Sequence, residues 1–200
     1  MSNKQNLPID RRITKSKQAL MDALLSLMQT KEFKKITVTD IVKTANLNRG
    51  TFYKHYEYKE DLLDEIVDDV IADLISSYRE PYKDTETFEL KTLTSSAIKI
   101  FEHVSHKKEF YSLMVKSNAL SGLQSKLCDV LKEITLRDLK GVQFNPKINR
   151  ELQASFYVHA MLGMITEWIN HGFEYDSNYM SEQLLEILQS RQGDKVFKLT

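Results

Sequence analysis

Six glycines, three prolines and a single cysteine are few for a chain of 200 residues, and each scarcity excludes something. With Cys128 alone, no intramolecular disulfide can form and no metal site can be built on cysteines. Its neighbours Leu127 and Leu131 mark it instead as a small buried hydrophobe. Few breakers, beside many Leu, Lys, Glu and Ala, bias the chain toward helix. No apolar run approaches the length of a membrane span, and the polar stretch 1–10 lacks the character of a signal peptide. A cytoplasmic protein with no membrane partner is therefore expected. Alternating strands of convincing length and internal repeats are also missing. His103-Val-Ser-His106 is too closely spaced for a helical i,i+4 metal pair and has no acidic companion, so no metal is expected. A Gly-rich phosphate loop, a nucleophile elbow and a catalytic triad are all lacking, which argues against an enzyme and against a cofactor.

Net charge is absent too, at a formal value of zero, but the zero hides an asymmetry. Up to residue 60 there are 12 Lys and Arg against 6 Asp and Glu, and beyond it 16 against 22. A basic head on an acidic body points to a polyanion as partner for the head alone. The 42% hydrophobic and 28% charged content is that of an ordinary globular chain, so a packed core is expected beneath this surface.

Residues 1–10 read as a loose arm. Ile13, Leu20, Ala23, Leu24, Leu27 and Met28 then recur at helical spacing over 12–30. Thr37-Val-Thr-Asp40 has the form of a capping box, opening a short second helix whose apolar face is Val38, Ile41, Val42 and Ala45. Asn46-Leu-Asn48 is a tight turn, with Asn46 where a left-handed backbone is needed and Asn48 as N-cap of a third helix through about Tyr56. A long fourth helix runs from Lys59 toward Tyr78 and stops before Pro81. Further helices are expected near 86–104, 108–116, 122–140, 147–171 and 178–191, punctuated by Gly141, Pro146, Gly172 and Ser177-Asn178. The tail after Gln192 is expected to fray.

A bracing helix followed by two short helices around a tight turn has the geometry of a helix-turn-helix. In its second helix Phe52 and Tyr56, four apart, can pack inward, while Asn48, Arg49 and Thr51 can face base edges. Gly50 would let the backbone approach DNA closely. Tyr53, Lys54 and His55 can donate to phosphates, which sets affinity and register rather than sequence choice.

Thr37-Val-Thr-Asp-Ile41, Ala45-Asn-Leu-Asn-Arg-Gly-Thr-Phe-Tyr-Lys-His-Tyr56 and Lys59-Glu-Asp-Leu62 together resemble the DNA-binding signature of the TetR family. The match covers roughly residues 12–65. Asn46 stands in place of the common turn glycine, Asn48 in place of Ser or Thr, and Tyr56 in place of Phe. The resemblance implies DNA contacts by Thr37 or Thr39, Asn48, Arg49, Thr51, Tyr53, His55 and Lys59. It further implies an all-α fold of about nine helices: a DNA-binding head over 1–57 on a helical-bundle body over 58–200 that senses ligand and dimerises. The function implied is a transcription regulator, a repressor, that binds a palindromic operator in double-stranded DNA as a homodimer and is released by a small-molecule effector. Control by a protein co-regulator is the alternative.

The segment Met161-Leu-Gly-Met-Ile-Thr-Glu-Trp-Ile-Asn-His-Gly172 resembles a C-terminal variant found in the branch that includes a regulator of dihydroxyacetone kinase genes. In this family the last two long helices commonly form the dimer interface. Here Phe156, Ala160, Gly163, Met164 and Trp168 fall on about one face of the 147–171 helix, and Tyr179, Leu184, Ile187 and Leu188 line the next. The same stripe can equally be an intramolecular core. Effector-contacting candidates by type and placement are Phe101, His103, Phe110, Tyr111, Met114, His159, Met161, Glu167 and Trp168. Glu167 draws attention as an acid on a mostly apolar helix that needs a partner.

Overall fold

The recognition segment is assembled from helices too short to persist alone, so what holds their ends matters most. In the computed structural model, which describes residues 11–86, 93–116, 120, 122–138 and 147–190, α1 (Arg11–Met28) is followed by a 3-10 turn at Phe33–Lys35, then α2 (Val38–Thr44) and α3 (Arg49–Tyr53). The capping box is present: the Asp40 amide donates to Thr37 Oγ1 at 3.1 Å, and the Thr37 amide donates to Asp40 Oδ2 at 2.9 Å. Lys31 adds a 2.8 Å ion pair to the same carboxylate, and these partners hold the Asp40 carboxyl down to about 2. Asn46 is left-handed at φ 54, as the turn demands, and Leu47 donates back to the Val42 carbonyl at 2.8 Å. Leu20, Leu24, Ile41 and Phe52, all fully buried, close the small core beneath.

α4 (Lys59–Arg79) gives way to a 3-10 turn carrying Pro81, which lacks the amide needed to continue the helix. After it come α5 (Ile100–His106), α6 (Lys108–Lys116), α7 (Leu123–Asp138), α8 (Arg150–Asn170) and α9 (Ser177–Gln189). Nine α-helices and no strand thus occur among the described residues, and none of these helices is long and apolar enough to cross a membrane. The single helix expected over 86–104 is not formed. Ser95–Ala97 is a 3-10 turn, Ile98 is extended at φ −81 and ψ 97, and α5 starts only at Ile100. The arm 1–10, Gly141, Pro146 and the tail after Gln192 lie outside the described residues.

The chain divides into two compact units, one reaching to Val70 and including Lys116, the other comprising Ile71–Val115 and Leu120 onward. The division falls inside α4, whereas the sequence suggested residue 57. In the second unit α7 packs on α8 and α5 on α9, around Phe101, Phe110, Tyr111, Leu127, Leu131 and Trp168. Tyr78 and Thr135 share a 2.7 Å hydroxyl hydrogen bond, and Arg79 pairs with Asp138 at 2.6 Å, tying α4 to α7. α8 ends in a Schellman arrangement: Phe173 donates to the Trp168 carbonyl at 2.9 Å and Gly172 to Ile169 at 3.0 Å. Both Gly172 and Phe173 are left-handed, at φ 67 and 60. The Phe173 ring offsets part of that strain by packing edge-on against Trp168 at 5.1 Å.

Asn46 tests the turn directly. Asn46→Ala should destabilise the chain by about 1 kcal/mol, because alanine has no side-chain route to the left-handed region, whereas Asn46→Gly should cost nothing. Chemical denaturation of the two variants distinguishes them, and equal losses would assign the turn's strength to Leu47 instead.

Candidate nucleic-acid interface

α3 is five residues long and is fixed at its start by one side chain. Asn48 Oδ1 accepts from the Thr51 amide at 2.8 Å and from the Thr51 hydroxyl at 3.1 Å. Because a backbone donor fixes which Asn48 atom faces inward, the amide nitrogen is the group left pointing outward as a donor. The Thr51 hydroxyl has given its proton to Asn48 and so presents lone pairs. Asn48, Arg49 and Gly50 are exposed and Thr51 half-buried at this end of the helix. Gly50 has a local reason to be glycine, since a Cβ there would sit 3.3 Å from Asn48 Oδ1 and press on the cap.

Phe52 and Tyr56 point inward as expected, their rings 5.6 Å apart. Burial, reinforced by the neighbouring Glu65 carboxylate, pushes the Tyr56 hydroxyl well above its usual pKa, and it is a core group rather than a titrating one. Tyr53 is 55% exposed and rests edge-on against Phe52, and Lys54 is exposed beside it. Thr37 and Thr39 are both exposed at the start of α2.

Two expected phosphate donors are engaged elsewhere. His55 Nε2 faces Ser16 Oγ at 3.0 Å, and the Ser16 hydroxyl itself donates to the Ile13 carbonyl at 2.9 Å, so His55 supplies the proton of the pair. Desolvation, with Lys17 and Lys54 nearby, lowers the His55 pKa. Lys59 is the clearer correction. Its ammonium donates to the carbonyls of Phe33 and Ile36, each at 2.8 Å, and of Lys34 at 3.4 Å, and it lies 4.6 Å from the centre of the Phe33 ring. Three carbonyls take up its three donors, which leaves none for a phosphate. The sequence reading missed Ser16, and also Tyr58, which is 58% exposed just before α4. Tyr58 was legible only as one more aromatic after the motif.

In the second unit the effector candidates separate by burial. Phe101, Phe110, Tyr111, Met114, Met161 and Trp168 are packed core, and the Trp168 indole donates to the Tyr175 carbonyl at 3.0 Å. His159 and Glu167 face solvent instead. Glu167 needs no buried partner, since its side chain is 72% exposed and stands 3.5 Å from His171. Among the candidates, His103 borders an open cleft of about 430 Å³, whose other walls include Asp73, Ser76, Ser77, Glu80, Lys99 and Lys107. That cleft is polar, with Lys107 paired to Asp73 at 3.3 Å and Lys99 to Glu102 at 3.0 Å. A Ser76-Ser77 pair on a helix otherwise read for its apolar side was the available signal.

The stripe on α8 is solvent-facing. Leu152 is 71% and Phe156 61% exposed, and Ala160 and Gly163 continue the same face, with Met164 half-buried at its edge. On α9, Tyr179 and Ile187 are exposed at 41% and 55%. Trp168 and Leu184 do not belong to this face, because both are buried within the unit, and Leu188 is half-buried. Spacing alone could not separate the two sides of a helix that is apolar on both.

Residues 16–66 match the family model for bacterial regulatory proteins of the tetR family, and residues 91–190 match one for a transcriptional regulator C-terminal region. The chain is 32% identical over 196 residues to the HTH-type transcriptional repressor KstR2 of Mycolicibacterium smegmatis, covering 87% of this chain and 93% of that one. It is 41% identical over 59 residues to the HTH-type regulator YxbF of Bacillus subtilis, and there it spans 16% of the relative's length. The fold resembles the solved dihydroxyacetone kinase operon activator DhaS, with a TM-score of 0.62 at 17% identity over 86% of this chain and 93% of that one. It also resembles FadR of Bacillus subtilis in complex with stearoyl-CoA, with a TM-score of 0.63 at 18% identity over 86% and 97%.

His103 gives the second unit a pH dependence. Its Nε2 shares a 3.0 Å hydrogen bond with the buried Tyr111 hydroxyl, and burial pulls its pKa down to about 4, with Asp73 opposing and Lys107 and His106 assisting. The unfolded chain takes up this proton near 6.5, so the stability that neutral His103 confers is complete above about 6.5 and declines as pH falls toward 4. Thermal unfolding followed across that window should show the midpoint falling with pH. In His103→Gln, which can still bond Tyr111, the fall should be shallower. An unchanged pH slope in that variant would place the acid sensitivity on another group.

Proposed function

The chain belongs to the TetR family of bacterial transcription regulators, and from that premise we propose that it is a repressor that binds a palindromic operator as a homodimer and is released by a small-molecule effector. The observation that carries the DNA reading is the exposed polar start of α3, held rigid by the Asn48 cap over a buried Phe52. The Asn48 amide donor, Arg49 and the Thr51 lone pairs serve as the base-reading set, and Gly50 admits the backbone to the groove. Thr37, Thr39, Tyr53 and Lys54 serve as phosphate contacts that set register, with His55 held behind them by Ser16.

Homodimerisation through α8 and α9 is supported by the exposed run of Leu152, Phe156, Ala160 and Gly163 together with Tyr179 and Ile187. An exposed apolar run of this kind along one helix face marks an association site more often than a free face. Two copies would then offer two recognition helices, which must be spaced by about 34–36 Å or a multiple to seat in successive grooves. An effector in the body acts by disfavouring that spacing. FadR of Bacillus subtilis holds stearoyl-CoA within the same fold. In this chain the paired charges and serines of the α4–α5 cleft favour a ligand rich in hydrogen-bonding groups over an acyl chain.

Selection of bound sequences from a random DNA library, followed by footprinting, tests the reading as a whole, and failure to enrich any sequence would sink it. Arg49→Ala should cost about 1–3 kcal/mol and relax preference at one position in each half-site. Lys54→Ala should weaken all sequences alike and flatten the salt dependence by about 0.9 in log–log slope. Gly163→Glu should yield folded monomers that bind the palindrome poorly, since nothing lies within 4 Å of a Cβ at that position to disturb the single chain. Sedimentation distinguishes this from a dimer formed elsewhere. Calorimetry of any effector with and without operator must give reciprocal losses of affinity.

A further inference from the structure

Resting on that DNA-binding reading, we infer that Lys59 is a positioning residue, which ties the first turn of α4 to the turn that enters α2, and that it does not contact phosphate. The acceptors come from a single place. Phe33, Lys34 and Ile36 surround the 3-10 turn at Phe33–Lys35, where the Phe33 carbonyl accepts from the Ile36 amide at 3.1 Å as well as from Lys59, and carbonyls at the end of a helical turn have capacity for a further donor. A cation at that end completes their hydrogen bonding and complements their dipoles, and charge-assisted bonds of this kind are about twice as strong as neutral ones. The Phe33 ring supports the same ammonium from one side at 4.6 Å.

The tie reaches the recognition elements in two steps. Ile36 is 1% exposed, so its carbonyl is fixed by the core, and the next residue, Thr37, is the N-cap of α2. α2 in turn packs on α3. A second link from the same helix lies six residues on, where Glu65 takes Lys17 of α1 in a bond of 2.6 Å to one oxygen and 2.8 Å to the other. The start of α4 is thereby fastened both to the bracing helix and to the entrance of α2. A phosphate contact would require Lys59 to withdraw at least one of its three donors from these carbonyls.

The test compares Lys59→Met, which keeps the stem against Phe33 and removes the donors, with Lys54→Met as the phosphate-contact reference. In the free protein the Ile36 amide, which donates to the Phe33 carbonyl, should exchange about tenfold faster in Lys59→Met; unchanged exchange overturns the inference. On DNA selected by the parent, at a temperature where both proteins are folded, Lys59→Met should lose about tenfold in affinity for the selected sequence. Its affinity for random DNA and its salt slope should match the parent, whereas a lost phosphate contact would weaken both sequences and lower the slope by about 0.9, as expected for Lys54→Met. A loss of stability alone would leave the selected-sequence affinity of the folded protein unchanged, and that result also overturns the inference. Should Lys59→Met fail to fold, lysine labelling of the parent by a small amine-reactive reagent decides. Lys59 should react about tenfold more slowly than Lys54 without DNA, and equal rates overturn the tie. If the parent selects no DNA, the DNA reading fails, and amide exchange and labelling still judge the tie by themselves.

Discussion

A five-residue helix cannot hold itself together in water, because its nucleation cost is never recovered by the one or two hydrogen bonds it closes. The recognition segment therefore depends on fixtures outside its own helical bonds. Asn48 satisfies the first amides of α3, Asn46 supplies the left-handed step before it, and Phe52 is removed from water entirely. α2 has the same problem over seven residues and solves it with the Thr37–Asp40 box. The polar groups exposed at the start of α3 are positioned by these caps, so in the DNA-binding reading proposed above the Asn48 side chain serves the scaffold and the contact at once. That double duty restricts how Asn48 can present itself: the carbonyl oxygen is spent and the amide donor remains.

The second unit works under a different constraint. Apart from the seven-residue α5, its helices are long enough to be stable by packing, and large side chains at helical spacing fill the core. Phe101, Phe110, Tyr111 and Trp168 are consequently buried, with Phe101 edge-on to Trp168 at 5.9 Å and Phe110 to Tyr111 at 5.5 Å. What concavity there is beside α5 lies between helix surfaces, where short serines meet charged side chains. A small polar ligand fits such a site by exchanging hydrogen bonds with groups already paired, so its affinity is a difference between two nearly balanced sets.

Much of the first unit was legible in the sequence because its signals are local. A capping box, a turn asparagine and an N-cap asparagine each act over three or four residues, and all three are where the pattern put them. The boundaries of α6, α8 and α9 were legible for the same reason, from periodicity and punctuation. The break between residues 86 and 104 was not, since nothing in Ser95-Ser-Ala-Ile98 forbids a helix and the extended Ile98 serves tertiary packing. Neither was the facing of α8, where Trp168 and Phe156 are both large and apolar yet one is 3% and the other 61% exposed. Burial of that kind is decided by which helix arrives opposite, and the sequence of one helix does not carry it.

Charge shows the same division between what residue type announces and what geometry assigns. The basic surplus of the first sixty residues suggested a polyanion partner, but its cations do not all serve that end. Lys17 is committed to Glu65, Lys31 to Asp40, Lys35 to Glu32 and Lys59 to three carbonyls. Pairing with a carboxylate cancels most of a cation's field beyond a Debye length, whereas Lys59, bound to neutral carbonyls, keeps its charge while losing its donors. Counting lysines overstates the number of phosphates that the head can neutralise, and the salt dependence of binding reports the smaller number. Arg49 and Lys54, exposed at the two ends of α3, are the cations that geometry leaves directed outward beside the reading surface.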